Sequence, residues 1–536
     1  LDDVDKSTKV NIFELSATPF ERPVAFNAGI GAVWAAPFHS SDDTHTVIAG
    51  AFKRFVRRSP EIDEALLDKF SAFVSSYIKR TFVPIPSDSD TSVATWLDNT
   101  NYPLWRKNEL LKDHQEYMLT EGLASARDKK CKSFRKWEFY PSKKHARVIN
   151  SRTDRFKWLV GPIFKLIEKD MFSLPDFIKK VSIAERPKYI HDRLYRLGAK
   201  YYATDFEGYE SLFVPELMRV CEMQLYEYMT RDLPEGREWF NLVSETMCGE
   251  NLCEFRNFIM KVRGKRMSGE MCTSLGNSFT TLMTLLFVAQ ESSVSIISQI
   301  EGDDSLNCVE GGNLDESLFE RLGFRAKIES YDNIYEASFC GIIFTEEAMH
   351  NLTDPADVLG TFGWMPMKYA RSSRKKCLAL ARCKALSFAH QYPGCPIVDA
   401  MAHHVLRLTR SFDCRHILEA RGMNMWERDQ LREALSDKGI VSRGPTKPHI
   451  SSRLLVESKF GIPCSLQICI EDYFNNSASL AWDYDVVRAI FPDSWLEHAM
   501  EFTRVMTKDE VYVPNPTFGT KTCVRFEELL RLTAVK

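Results

Sequence analysis

The stretch Ile300-Glu301-Gly302-Asp303-Asp304-Ser305-Leu306 constrains this chain more than any other. β-prone apolar residues precede it (Val294, Ile296, Ile297, Ile300) and follow it (Leu306, Cys308, Val309), which predicts two short strands joined by a turn that carries adjacent carboxylates. Two aspartates at a tight turn can face one divalent ion, and oxygen-only ligands point to Mg²⁺ or Mn²⁺. Gly-Asp is also a common turn dipeptide, so the stretch alone reads more readily as an ordinary hairpin turn. What decides between the two is whether other segments supply partners.

At 536 residues, 44% hydrophobic and 27% charged, the composition is that of a globular chain with several subdomains around a sizeable core. The formal net charge is only −3, so affinity for a polyanion must come from local clusters of Lys and Arg. The 14 Cys form no CxxC pair or regular framework, which predicts reduced thiols and no disulfides. The spacings of Cys377, Cys383, His390 and Cys395 match no usual zinc pattern. The longest apolar run, around 282–289, is too short to span a bilayer. A start at Leu1 rather than Met leads to the expectation that the chain is cut from a longer polypeptide.

Between Arg127 and Lys157, twelve Lys or Arg face three acids, a local excess of nine positive charges. A solvated basic face is the plain reading, but Lys144, Arg147 and Arg152 surround Val148 and Ile149 as in a strand, and arginine can grip phosphate bidentately. Residues 201–210 predict a strand that ends at Asp205, with a helix beginning near Pro215; a lone acid there is also a candidate cap. An amphipathic helix is predicted near Ile62 to Arg80. Phe258 to Met267 predicts a small basic hairpin with Arg263-Gly264 in its middle, bearing Lys261, Arg263, Lys265 and Arg266. Ser268 and Gly269 then form a loop before a helix on which Thr273 and Asn277, four apart, share a face. Further on come a helix near 318–322, strands near 324–329 and 337–344, and a mainly helical region from about Pro366. That region carries a second basic cluster: Arg371, Arg374, Lys375, Lys376, Arg382 and Lys384.

The order of Asp205-x₄-Glu210, Ser268-Gly269-x₃-Thr273-x₃-Asn277 and Gly302-Asp303-Asp304 resembles motifs A, B and C of viral RNA-dependent RNA polymerases. The wording is similar to the tombusvirus-like positive-strand group: Gly264 to Met271 before motif B, Lys327-Ile328-Glu329 as motif D, Phe339-Cys340 as motif E, and Lys144-x₂-Arg147-x-Ile149-x₂-Arg152 as motif F. One departure is Glu210, where the family usually has a second Asp that helps recognise ribose. The resemblance implies an α+β right hand. Residues 1–190 would form an N-terminal extension and fingers, 191–365 a palm with an antiparallel sheet flanked by helices and a fingers insertion near 230–267, and 366–536 a helical thumb.

The implied reaction is nucleotidyl transfer from a ribonucleoside triphosphate to an RNA 3′-hydroxyl on an RNA template. Asp205, Asp303 and Asp304 would hold two Mg²⁺ or Mn²⁺ ions, with Asp304 the more peripheral. Lys144, Arg147 and Arg152 would lie against the triphosphate, and Lys327 would protonate pyrophosphate. Glu210, Ser268, Gly269, Thr273 and Asn277 would contact the nucleotide, with Asn277 sensing the 2′-hydroxyl together with Ser268 and Thr273. Lys136, Lys265 and Arg266, with the basic stretches around them, would grip template and product RNA. The resemblance also implies other viral replicase proteins as partners and replication complexes on host cytoplasmic membranes, reached through a separate region. The rival readings are a reverse transcriptase, an RNA-binding protein with an inactive palm, and a coat or scaffold protein.

Overall fold

The computed structural model describes residues 8–13, 25–120, 130–421, 423–507, 510–515 and 520–525. Arg127 and Lys129 of the basic stretch lie outside them. The two larger sheets use β1 (Lys9–Ile12), β2 (Lys130–Arg135), β3 (Val148–Arg152), β4 (Lys200–Phe206), β5 (Glu250–Glu254), β6 (Phe258–Arg263), β7 (Ser295–Glu301), β8 (Asp304–Glu310) and β9 (Ala326–Tyr331). Helices that bear on the site are α1 (Glu64–Thr81), α2 (Tyr209–Leu212), α3 (Glu222–Thr230), α4 (Thr273–Glu291), α5 (Arg374–Gln391) and α6 (Val398–Leu408).

The sheet β7-β8-β4-β9 is antiparallel throughout. Side chains alternate across it, as the pleat requires. Tyr202 and Phe206 of β4 join the large core that contains α4, whereas Tyr201, Leu306 and Cys308 face a smaller core with Ile190, Ile334 and Phe339. α4 is buried on nearly every side, from Leu275 to Ala289. A helix apolar all round has no solvent face to keep and becomes the centre of a core.

The second sheet, in the order β1-β6-β5-β2-β3, mixes the parallel pair β2·β5 with antiparallel neighbours. The hairpin expected within 258–267 is shifted. Its two arms are β5 and β6, closed at residues 255–257 where the Phe255 N–H donates to Phe258 O. Arg263-Gly264 instead ends β6. The run 337–344 is not a strand either; it makes isolated bridges, Phe339 with Ile342 and Ile343 with Leu352, around a turn with positive φ at Cys340 and Gly341.

The predicted helix near 62–80 is α1, opened by Asp63, whose carboxylate accepts the Leu66 N–H. From 366 onward the described chain is mainly helical, and its core takes in a segment from the other end of the sequence: Phe26, Ile30, Val33 and Trp34 pack with Trp482 and Trp495. A short strand at Ala25–Asn27 pairs with Trp364–Pro366. Among the described residues no helix is long and apolar enough to cross a membrane.

Candidate active site

Register brings the charged residues together. β4 and β8 align Thr204 with Ser305, so the next residues outward, Asp205 and Asp304, are neighbours. On the other side of β4, Lys327 of β9 is aligned with Asp205. Directly opposed residues share a face. Asp304, Asp205 and Lys327 therefore form one row across three strands, and that row lines a small open cleft of about 100 Å³ with Glu329 and Cys340.

The turn between β7 and β8 is fastened to α4 from below. Gly302 sits at φ 68°, the left-handed region that glycine enters without a Cβ penalty. Its N–H donates to Ser278 Oγ at 3.0 Å, and its carbonyl accepts from Thr281 Oγ1 at 3.0 Å. Tyr209 OH in turn meets Thr281 Oγ1 at 3.1 Å. Ser278 and Thr281 are three apart, hence on one face of the helix. They are polar residues in an apolar run, the one sequence signal that could have marked them as supports of the turn.

Asp303 and Asp304 face different neighbours. The Asp303 carboxyl is pushed up to about 7 by burial, then by the charges of Glu210, Asp304 and Asp205. Asp304 is raised by burial and then by Asp205. Asp304 is thus the aspartate that pairs with Asp205 along the sheet, whereas the sequence reading gave it the peripheral part. Among the described residues no group of three or more His, Cys, Asp and Glu closes around a common metal position. The donor set nevertheless fits a hard cation, because oxygen ligands crowded together are the groups whose mutual repulsion a divalent ion would offset.

Glu210 follows Gly208 on the short helix α2. Its buried carboxylate is ion-paired with Arg54 and accepts from Ser268 Oγ at 3.1 Å. Asn277 is buried on α4, and its Oδ1 accepts from Arg266 Nε at 3.0 Å. Glu210, Ser268 and Asn277 therefore lie within one connected set of contacts beside Asp303.

Several expected contacts are corrected by burial. Arg152, expected at the triphosphate, is interior and bound to Glu270, with Nε at 2.8 Å from Oε1. It ties β3 to the loop before α4, where the Asn150 N–H also donates to Ser268 O at 2.7 Å. Arg266, expected at RNA, is fully buried in an ion pair with Glu222 and lies over the Phe213 ring at 4.3 Å. Lys265 is buried as well, its Nζ donating to Ser211 O at 2.8 Å. A cation in an alternating stretch turns inward when an acid or carbonyl waits there, and sequence alone does not reveal that partner. Thr273 Oγ1 accepts the Gly269 N–H and reaches the carbonyls of Met267 and Glu270, each at 3.2 Å, so it closes the loop on itself rather than facing a ligand. In the second basic cluster, Lys384 donates to Thr361 O and Arg382 to Leu406 O, both at 2.9 Å, while Arg371, Arg374, Lys375 and Lys376 remain exposed.

Four expected cations stay accessible. Lys144 lies 4.3 Å over the Tyr140 ring; burial and the charges of Arg147, Lys53 and Arg54 hold its ammonium below the usual lysine value. Arg147 and Lys136 share Glu138, at 3.4 and 2.8 Å. Lys327 is exposed and bonded to Glu329 at 2.7 Å, which holds it above the usual value.

Residues 183–392 match the sequence profile of the family described as viral RNA-dependent RNA polymerase. A stretch of 124 residues is 27% identical to the RNA-directed RNA polymerase of Tobacco necrosis virus (strain A), covering 22% of this chain and 17% of that relative. The profile begins ahead of β4 and ends at the last turn of α5, so it contains the whole Asp205–Asp304–Lys327 row and both sides of the Gly302 turn. Across that segment the chain is similar to the viral RNA-dependent RNA polymerases, and it spans about a sixth of the length of the relative it matches.

Proposed function

We propose that this protein is an RNA-directed RNA polymerase that adds nucleoside monophosphates from ribonucleoside triphosphates to an RNA 3′-hydroxyl, copying an RNA template. The observation that carries the reading is the row Asp304–Asp205–Lys327, set beside a turn that two hydroxyls of α4 hold in place. In right-hand terms, 191–365 is the palm with a fingers insertion near 230–267, 1–190 the extension and fingers, and 366–536 the thumb.

Asp205, Asp303 and Asp304 would hold Mg²⁺ or Mn²⁺, which when bound stabilises charge on the attacking and leaving oxygens. The remaining work is positioning and electrostatics. Lys144 and Arg147 are accessible cations on one edge and are suited to the triphosphate as it gains negative charge. Lys327 is charged at neutral pH and stands beside Asp205, in position to give a proton to departing pyrophosphate. Lys136, with the exposed cations at 371–376, supplies backbone affinity for RNA, which makes binding weaken steeply with salt. Other replicase proteins and host membranes are partners of the same reading.

The test is incorporation of labelled ribonucleotides on a heteropolymeric RNA template with Mg²⁺ or Mn²⁺, comparing the chain with its Asp303→Ala variant. Template-dependent product that disappears in the variant supports both the activity and the site. Equal product from both, or none from a folded chain that binds RNA, refutes the proposed centre.

A further inference from the structure

Glu210 is the one motif position where the chain departs from the usual residue, and its surroundings account for the extra methylene. Its carboxylate extends to Arg54, which lies on the short π-helical turn Phe52–Val56 more than 150 residues upstream. The two side chains are 13% and 9% exposed, so the pair is largely withdrawn from water, where a charge contact is stronger than at the surface. The second anchor is Ser268 Oγ, on the loop before α4. The contact with Arg54 is part of a larger clamp. Arg57 reaches Glu207 at 2.6 Å, and Ser59 Oγ contacts the carbonyls of Ser211 and Leu212, each at 3.2 Å. Residues 52–59 therefore grip 207–212 from outside the sheet.

Resting on the polymerase reading, we propose that Arg54 is a positioning residue for sugar selection, fixing the Glu210 carboxylate where it meets the ribose of the incoming nucleotide. An ionised carboxylate only accepts hydrogen bonds, so a fixed one favours a sugar that offers an O–H. The 2′-deoxy analogue leaves that acceptor unpaired, the asymmetry by which a polar site rejects a substrate that lacks a hydroxyl. Glutamate has one more rotatable bond than aspartate and depends more on such an anchor. Arg54 touches no reacting atom; its effect passes through Glu210.

The experiment measures kcat and KM for a ribonucleoside triphosphate and its 2′-deoxy counterpart on one RNA template and primer, using the full chain with Arg54→Ala, Arg54→Lys and Glu210→Gln. The expected result is a fall of about tenfold or more in the ribo-to-deoxy ratio of kcat/KM for Arg54→Ala. The fall should arise mainly from a higher KM for the ribonucleotide, and Arg54→Lys should recover part of it. An unchanged ratio in Arg54→Ala, or equal losses for both sugars, overturns the proposal. If Arg54→Ala does not fold, Glu210→Gln decides: it keeps the side-chain length but loses the charge that pairs with Arg54, so a ratio equal to wild type is equally fatal. Failure of the polymerase reading is distinguishable, because the wild-type chain would then incorporate neither sugar.

Discussion

Arg266→Met tests whether the interior ion pair, rather than any RNA contact, is the role of this residue. Arg266 and Glu222 are both fully buried and ion-paired, and the guanidinium also donates to Asn277 Oδ1 and covers the Phe213 ring. Glu222 keeps one further partner, Tyr226 OH at 2.9 Å. There is no space for relaxation on the α4 side, since a Cβ on Gly276 would meet Glu222 Oε2 at 2.2 Å and Arg266 Nη2 at 2.7 Å. Removing one partner of such a pair leaves an unpaired interior charge and costs about 3–5 kcal/mol. Replacing both by apolar groups of similar volume relieves most of that, so Glu222→Leu added to Arg266→Met should recover about 2–4 kcal/mol. Burial already raises the Glu222 carboxyl in the intact protein. A carboxyl raised in the folded state binds more protons there than in the unfolded chain, so the deficit of Arg266→Met should shrink as pH falls toward about 5. The assay is native-state hydrogen exchange of the α4 amides, which avoids assuming a single transition for so long a chain. Protection within about 1 kcal/mol of wild type in Arg266→Met, or a double variant no better than the single one, refutes the reasoning.

His404 in α6 should contribute to acid sensitivity, beside His39, whose buried imidazole is lowered further, to about 3. The His404 Nε2 lies 2.9 Å from Ser479 O and its Nδ1 faces Arg407 at 3.2 Å, so the ring is held neutral; burial and Arg407 lower its pKa to about 4. The unfolded chain takes up the proton first, so stability present above about 6.5 is lost as pH falls toward 4, by about 2–3 kcal/mol. Urea midpoints at pH 7 and 5 should differ less in His404→Gln, and an unchanged slope would refute this assignment. Mg²⁺ should raise the melting temperature by relieving repulsion among Asp205, Asp303 and Asp304, with about 1.4 kcal/mol gained at ten times its dissociation constant. Asp303→Asn should abolish most of that shift, and a shift equal to wild type would exclude Asp303 as a ligand. At Gly302, Ala meets no clash but must adopt φ 68°, so Gly302→Ala should cost about 1–2 kcal/mol and Gly302→Asn less. Equal unfolding midpoints for the two would show that backbone strain is not what this position demands.

The elements around the site were legible because their signals are local. Alternation marked the strand that ends at Asp205, apolar runs marked the strands either side of Gly302, and the polar loop before an unbroken apolar run marked α4. Motif order named Asp205, Asp303 and Asp304 as candidates, but only strand register set Asp304 rather than Asp303 beside Asp205. Sequence also found the basic character of 130–157 but could not sort it. Arg152 and Arg147 are five residues apart in one segment, yet one meets buried Glu270 and the other stays at the surface with Glu138. The sorting depends on which acid the fold carries to each cation, from 118 residues away in the first case and nine in the second. The same holds for Arg54, which has no local mark at all and acquires its partner Glu210 only when the upstream turn is laid against Gly208 to Leu212. Local patterns therefore determined which residues form strands, turns and helices, because backbone geometry is dictated by near neighbours. Burial and ion pairing were decided by the tertiary structure, because a charge in low dielectric takes its behaviour from whichever partner the rest of the chain delivers.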